Sequence, residues 1–399
     1  MATTPFTRDV VIVGGCGRVG LPLAIAFAQS GLRTTSFDIN PVAVALVNSG
    51  TMPFDEPDSD WRLAAVRANG MFDASTDPSV IAQTEHVVVV VGTPVDEHLN
   101  PDPQVVRDAV RGLAPHLRDQ QLLVLRSTVF PGVTRLVEKY IETTGLDIDV
   151  AFCPERIAEG KAFVELFELP QIISGRSEQS MQRATTLFKH IAQETVELSP
   201  EEAELAKLFT NTWRYIRFAA ANQLYMIAND YDLDFERIRS ALRHNYPRAA
   251  DMPGAGLAAG PCLLKDTMQL AAFHENKFTL GHASMMVNEG LPLYIVGRME
   301  QDYDLSAMTV GLIGMAFKAE SDDIRSSLSY KLRRILRFKA GEVLCSDPYV
   351  KDDSFVELDE IIERADVIVI GAPHDRYKTL TSSKPVIDIW NVRGEGVRI

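Results

Sequence analysis

The chain has 399 residues, of which 46% are hydrophobic and 24% charged, with 40 Lys and Arg against 54 Asp and Glu for a net charge of −14. That is the balance of a globular protein of two or three domains. The negative charge argues against general affinity for nucleic acid or an anionic membrane, but leaves room for a local basic cluster that grips a small anion. No apolar run reaches the ~18 residues of a transmembrane helix. The N-terminus MATTPFTRDVVIVGG runs straight into a strand, so no signal peptide is expected.

In chain order, the apolar run Asp9–Val13 predicts a strand, GGCGRVG a tight turn, and LPLAIAFAQSG a helix. RTTSFDIN is a second strand and ends in Asp38. HVVVVVG (86–92), QLLVLRS (121–127) and DIDVAFC (147–153) continue the β/α alternation, with a helix near 104–117. Strands separated by helices predict a doubly wound parallel sheet, whose strands are nearly all apolar because both faces are covered. From Pro200 the pattern changes. Ser199-Pro200-Glu201-Glu202 is a helix start, and more than thirty residues follow without Gly or Pro. This predicts a helix of about 30 residues, or ~45 Å, with further helical pattern to about residue 300. Near 308 the alternation restarts with MTVGLIG, the helical SLSYKLRRILRFK, then EVLCSDP, DVIVIGAP and PVIDIW. The expected fold class is α/β: two Rossmann-like doubly wound domains, residues 1–198 and 306–399, joined by a central helical segment, residues 199–305.

Cys16, Cys153, Cys262 and Cys345 lie far apart, with no CxxC and no HxxxH. They form neither a disulfide framework nor a zinc site, so no metal is expected and a reducing cytoplasm is the natural compartment. Each could be a small buried hydrophobe.

VVIVGGCGRVG holds Gly15-x-Gly17-x-x-Gly20 between strand and helix, with Arg18 and Val19 inside the motif. The first glycine is expected to make the tight turn, the second to let backbone approach a pyrophosphate, and the third to pack helix on strand. The helix N-terminus then faces the phosphates. Asp38, 18 residues beyond Gly20, is placed to accept the ribose 2′-hydroxyl and repel a 2′-phosphate, favouring NAD over NADP. Thr93 and Pro94 close another strand at its carboxyl end, where ligands sit in open α/β sheets.

Three stretches need a joint explanation. CPERIAEGKAF carries Glu155 and Glu159; AELAKLFTNTWR carries Lys207 and Asn211 four apart on one helix face; GPCLLKD carries Cys262 and Asp266. Each has a plainer reading. The two glutamates could lie on a solvated face, and Lys207 could pair with Glu204. Taken together, with GxGxxG, VGTP (91–94), RSTVFPGVT (126–134) and GMAFKAESDDIRSS (314–327), the set resembles the nucleotide-sugar 6-dehydrogenases, the UDP-glucose/GDP-mannose dehydrogenase family, over nearly the whole chain.

The resemblance implies oxidation of a C6 hydroxyl to a carboxylate with two equivalents of NAD. Thr128, Glu159 and Asp266 would hold the water that takes the hydroxyl proton, and Lys207 and Asn211 would stabilise the oxyanions. Cys262 would form a thiohemiacetal and then a thioester, its thiolate favoured by a neighbouring ammonium. Glu155 and Asp266 would steer the hydrolytic water. Substrate contacts are implied for Glu155, Arg156, Lys207, Asn211, Arg248, Gly256 and Lys318; Arg325 matches a residue that reaches the cofactor site. The family's long helix makes a dimer core, so a homodimer or higher homo-oligomer is expected, with no nucleic-acid or membrane partner.

The sugar is less determined. CPER (153–156) and YPR (246–248) resemble the UDP-N-acetylhexosamine branch, whereas CLLKDTMQL resembles the UDP-glucose branch. Ala259-Gly260-Pro261 before the cysteine and Gln223 after Asn222 depart from the common patterns. The reading leans to a UDP-N-acetylhexosamine of the N-acetylmannosamine type, with UDP-glucose next. The β-hydroxyacid dehydrogenases share the Rossmann domain and the K-x3-N pair, but perform a single two-electron step and lack the cysteine. A non-catalytic dinucleotide binder would not need this constellation.

Overall fold

Six parallel strands form the first sheet: β1 (Arg8–Val13), β2 (Thr34–Phe37), β3 (Phe72–Ser75), β4 (Thr84–Val89), β5 (Leu122–Leu125) and β6 (Asp149–Phe152). They lie in the order β3-β2-β1-β4-β5-β6. The structure is a computed structural model that describes residues 5–93, 95–96 and 102–399. Strand order reverses between β1 and β4, which opens the ligand crevice of a doubly wound sheet at the carboxyl ends of those strands. Val10, Val11 and Ile12 of β1 and all of β5 have no exposed surface. Their side chains feed separate apolar clusters on the two sheet faces. Each such aliphatic residue contributes about 1.5–3 kcal/mol by leaving water.

The apolar reading of the sequence did not include β3, nor the separate parallel pair β7 (Gln171–Ser174) and β8 (Thr195–Leu198). Their sequences FDAS, QIIS and TVEL are four residues each and carry polar groups. β3 is an edge strand buried on alternate residues, so only pairing with β2 distinguishes it from a loop.

The helices of this half include α1 (Gly20–Gln29), which starts directly after the glycine motif, α2 (Val133–Thr144) and α3 (Ala162–Glu168). The long helix α4 runs Pro200–Asp230, 31 residues. Ser199 starts it as predicted: its Oγ accepts from Glu202 N, and its own N–H donates to Glu202 Oε2 at 2.8 Å, a reciprocal capping box.

The chain divides into two compact units, Met1–Thr210 and Asn211–Ile399, with the division inside α4. The second unit holds the rest of α4, then α5 (Leu263–Phe273), α6 (Thr279–Asp302) and α7 (Leu328–Lys339). Its parallel sheet is β9 (Thr309–Ile313), β10 (Glu342–Ser346), β11 (Val367–Ile370) and β12 (Val386–Ile387), in the order β10-β9-β11-β12. Tyr225 of α4, Leu291 and Ile295 of α6, and Val310 and Leu312 of β9 share one apolar core. The helical segment and the C-terminal sheet of this unit are therefore packed as one body. No helix among the described residues is long and apolar enough to cross a membrane.

Candidate active site

The glycine loop after β1 is built as a cradle, with one reassignment. The left-handed turn residue is Gly14 (φ +77°), one position before the Gly15 expected to make it. A Cβ at Gly14 would stand 2.2 Å from the Val90 carbonyl oxygen, so the turn is pressed against the segment after β4. Gly15 instead permits close approach to β2, where a Cβ would meet Ser36 Cα at 2.7 Å. At Gly20 a Cβ would meet Gly14 O at 2.4 Å, which fixes how closely α1 starts against the loop. Gly17 is exposed, and a Cβ there would meet only Gly14 O at 3.6 Å. Gly14, Gly15 and Gly20 are thus required by packing, and Gly17 leaves the loop open to a ligand. Asp38, at the end of β2, accepts the Cys16 N–H on Oδ2 and the Asn40 N–H on Oδ1. A carboxylate offers about four lone-pair sites, so it retains capacity for a ribose diol. These residues fit a dinucleotide. Thr93 is half-buried at the end of the segment after β4; Pro94 lies outside the described residues.

Glu159 reaches this loop directly. Its Oε1 accepts from Arg18 at 2.8 Å, and the Arg18 guanidinium also lies 5.2 Å from the Phe54 ring centroid. Glu56 is a partner the sequence reading passed over. Its buried carboxylate accepts the N–H groups of Gly160 and Ala162, both at 2.8 Å, and so binds the loop after Glu159 to the start of α3.

Glu155 is not on a solvated face. It is 8% exposed, and all its oxygens are engaged. Oε2 accepts from Arg126 Nε at 3.0 Å and from the second guanidinium nitrogen; Oε1 accepts the N–H groups of Arg156 (2.7 Å) and Ile157 (2.9 Å). Arg126 was likewise missed. Wholly buried at the end of β5, it also donates to the Cys153 carbonyl and to Gln171 Oε1, each at 3.0 Å. The available signal was a single arginine directly after the apolar run Leu122–Leu125. With its lone pairs taken, Glu155 is placed to hold the 155–161 loop in shape rather than to face a water. Arg156 donates to the Pro170 carbonyl. Thr128 is half-buried, two residues beyond Arg126.

On α4, Glu204 does not pair with Lys207. Its buried carboxylate accepts the N–H groups of Gly132 (2.6 Å) and Thr134 (2.8 Å), at the N-terminus of α2. Burial pushes its pKa up, against those hydrogen bonds. Lys207 is 8% exposed, and among the described residues no carboxylate pairs with its ammonium. A buried, unengaged cation on a rigid helix is suited to stabilising developing negative charge.

In the second unit, Cys262 occupies the N-cap of α5, where unsatisfied N–H groups and the helix dipole favour negative charge. Asp266 lies one turn on, its N–H bonded to the Cys262 carbonyl at 2.9 Å. The Asp266 carboxylate is wholly buried between two partners: Asn211 Nδ2 donates to Oδ2 at 2.5 Å, and Lys265 Nζ lies 2.7 Å from Oδ1. Cys262 is exposed, whereas the other three cysteines are buried. Burial pushes the Cys16 and Cys153 thiols up to about 12 and that of Cys345 to about 11, with the Asp38 charge adding to the effect at Cys16. Those three stay protonated and unreactive near neutrality.

The remaining candidate residues lie elsewhere in this unit. Lys318 sits 5.8 Å from the Phe317 ring centroid, and Arg325 chelates Asp323 through Nε at 3.0 and 2.9 Å. Arg248 donates to Tyr246 Oη at 2.8 Å, and Gly256 is buried. Asp347 ends β10 as Asp38 ends β2, but its environment differs. Its carboxylate accepts N–H groups from Met315, Ala316, Tyr349 and Val350 and contacts His374 Nε2 at 3.1 Å, with no exposed side-chain surface. It has no capacity left for a ribose, so of these two strand-end acids Asp38 is the one that can accept a ribose diol. Among the described residues, no group of three or more His, Cys, Asp or Glu is placed to hold a metal.

Comparison with known proteins gives three family matches in chain order. Residues 9–192 match the NAD binding domain of the UDP-glucose/GDP-mannose dehydrogenase family, residues 201–289 its central domain, and residues 311–395 its UDP binding domain. The chain is 30% identical over 401 residues to the UDP-N-acetyl-D-mannosamine dehydrogenase of Pyrococcus horikoshii, covering 97% of this chain and 93% of that one. The solved UDP-D-ManNAc dehydrogenase structure from that organism superimposes with a TM-score of 0.89 at 28% identity, covering 96% of each chain. A UDP-glucose dehydrogenase structure from Pyrobaculum islandicum gives 0.90 at 27% identity, covering 98% of this chain and 97% of that one.

Proposed function

From its membership of the UDP-glucose/GDP-mannose dehydrogenase family, as an NAD-dependent nucleotide-sugar dehydrogenase, we propose that this chain oxidises the C6 hydroxyl of a UDP-N-acetylhexosamine of the N-acetylmannosamine type to the carboxylate. The thirty-percent relative along nearly the full length supports that sugar. A second reading, UDP-glucose, is favoured by the Pyrobaculum structure and by CLLKDTMQL. The observation that carries the chemistry is Cys262, the exposed cysteine at a helix N-cap one turn from the buried Asn211–Asp266–Lys265 cluster.

NAD, when bound at the Gly15–Gly20 loop, supplies the hydride acceptor, and two equivalents account for four electrons. Ile39, 89% exposed beside Asp38, offers an apolar surface for the adenine. In the first oxidation the hydroxyl proton leaves to a water as C6 loses hydride, a step to which Thr128, Glu159 and Asp266 are each assigned. The Lys207 ammonium and the Asn211 amide stabilise the alkoxide that forms. Cys262 Sγ then adds to the aldehyde carbon and forms a C–S bond; the resulting oxyanion falls to the same two groups. Loss of the second hydride leaves a thioester on Cys262. Water adds to it, the C–S bond breaks, and the carboxylate leaves with the thiolate restored. Asp266 directs that water through Oδ1, which, unlike the oxygens of Glu155, accepts no hydrogen bond among the described residues, while Glu155, held by Arg126, keeps the 155–161 loop in place. Lys318, Arg248 and Arg156 are assigned to the sugar nucleotide, and Arg325 to the cofactor side.

Residues 1–198, 199–305 and 306–399 serve cofactor, catalysis with dimerisation, and nucleotide binding in turn. The chain works as a homodimer through the outer face of α4, where Trp213, Leu224, Ile227 and Tyr231 are exposed at helical spacing. A reactive thiol and the need for NAD support a cytoplasmic setting.

The direct test incubates the protein with NAD and a panel of UDP- and GDP-sugars and counts NADH per sugar. Two NADH with uronate product on UDP-N-acetylmannosamine is the expected result. One NADH with a released aldehyde or ketone would refute the thioester route. A cofactor prediction accompanies it. Asp38→Gly removes the charge that repels a 2′-phosphate, so the ratio of kcat/KM for NAD over NADP should fall by at least about tenfold. Unchanged discrimination in steady-state assays would count against Asp38.

A further inference from the structure

The loop that delivers Cys262 is GAGLAAGP, Gly254 to Pro261. Its residues are small apart from Leu257, which is buried with Ala255 in the apolar core, so the backbone polar groups between them need partners from elsewhere in the fold. Two of its glycines are gripped by side chains that the catalytic chemistry does not use. Asn222, wholly buried on α4, donates Nδ2 to the Gly256 carbonyl at 3.0 Å, and its Oδ1 accepts the Gly256 N–H at 2.9 Å. The side-chain amide thus pairs with the peptide as a neighbouring strand would. Asn222 Nδ2 also donates to Asn288 Oδ1 on α6 at 2.9 Å, and Asn288 Nδ2 donates to the Tyr215 carbonyl at 3.1 Å. Every amide hydrogen of Asn222 is therefore used, and a fully satisfied buried network specifies one geometry. The Trp390 indole closes on the same glycine: a Cβ at Gly256 would lie 2.2 Å from Cζ3. That indole is itself tied to the Gly371 carbonyl through Nε1 at 3.1 Å. At the far end of the loop Gly260 adopts φ +103°, with the Phe317 ring 2.7 Å from where a Cβ would stand.

We propose that Asn222 is a positioning residue for the oxidation: together with Trp390 it clamps Gly256, the anchor from which the loop aims Cys262 Sγ at the aldehyde carbon. The inference rests on Cys262 being the nucleophile. Attack on a carbonyl needs a near-attack geometry, and a displacement of roughly 1 Å costs about 10²-fold in rate. Without the Asn222 amide, the Gly256 N–H loses its partner and its C=O keeps only the Ala258 N–H at 2.8 Å, so the anchor is loosened.

The test compares Asn222→Ala and Gly256→Ala with the unmodified full-length protein. Steady-state kinetics with the UDP-sugar and NAD, the rate of Cys262 alkylation by iodoacetamide read by peptide mass, and Tm are measured together. Asn222→Ala should lower kcat about 10²-fold while KM moves less than about threefold, and should change the Cys262 alkylation rate by at least about fivefold. Gly256→Ala should do the same by pushing the loop off Trp390. Adding Trp390→Leu to Gly256→Ala makes room for the methyl group and should recover at least about tenfold of the lost kcat. Wild-type kcat and alkylation in Asn222→Ala would overturn the proposal. So would a Gly256→Ala defect that Trp390→Leu leaves unchanged, which decides the matter even if Asn222→Ala does not fold. Failure of the underlying reading looks different: alkylated wild-type enzyme would still make uronate, while the alkylation rates would still report on the clamp.

Discussion

Replacing Cys262 by serine should leave NAD affinity unchanged and stop net oxidation to the acid. A serine hydroxyl remains protonated near neutral pH and is a far weaker nucleophile than a thiolate, so the thiohemiacetal that gives up the second hydride does not form. The loss in kcat for uronate formation should reach about 10³-fold or more. No other cysteine can substitute. Cys16, Cys153 and Cys345 are buried, and their thiols are pushed up to about 12, about 12 and about 11. The measurement pairs NAD titration with product analysis by mass. Normal steady-state turnover to the uronate in Cys262→Ser would sink the thioester mechanism.

The second large effect is expected at Lys207. Lys207→Ala should cut kcat and kcat/KM together by about 10²–10³-fold, the pattern of an interaction made in the transition state. The reasoning is electrostatic. The ammonium is 8% exposed with no carboxylate partner among the described residues, and Glu204, one turn away, is committed to the amides of α2. Holding such a cation ready disfavours the folded protein, because an uncompensated buried charge is costly. Tm should therefore hold steady or rise while activity collapses, which separates a catalytic role from damage to the fold. A kcat within about threefold of wild type would remove Lys207 from the oxyanion role.

Much of this was legible in one dimension because the signals are local and redundant. The apolar run Asp9–Val13, the spaced glycines and Asp38 each point to the same β-turn-α unit, and the structure builds it. Ser199 with Glu202 announces the start of α4 for the same reason: the cap and its partner lie three residues apart. Where the deciding contact is distant, the reading slips. Gly14 rather than Gly15 takes the left-handed turn, and the carbonyl of Val90, far along the chain, leaves no room there for a Cβ. β3, β7 and β8 are too short and too polar to show periodicity, and exist through their partners.

By itself, the sequence determined the α/β class, the strand–glycine turn–helix unit and the long helix, since strand and helix periods, caps and motif spacings are all written within a few residues; the candidate catalytic residues came from the family resemblance. Only the tertiary structure decided which acids are occupied. Glu155 is held by Arg126 across 29 residues of chain, Glu204 by Gly132 and Thr134 across 72 and 70, and Asp266 by Asn211 across 55. A carboxylate's role depends on how many of its lone pairs are already taken and whether water can reach it, and both are set by neighbours that the fold brings in from elsewhere in the chain.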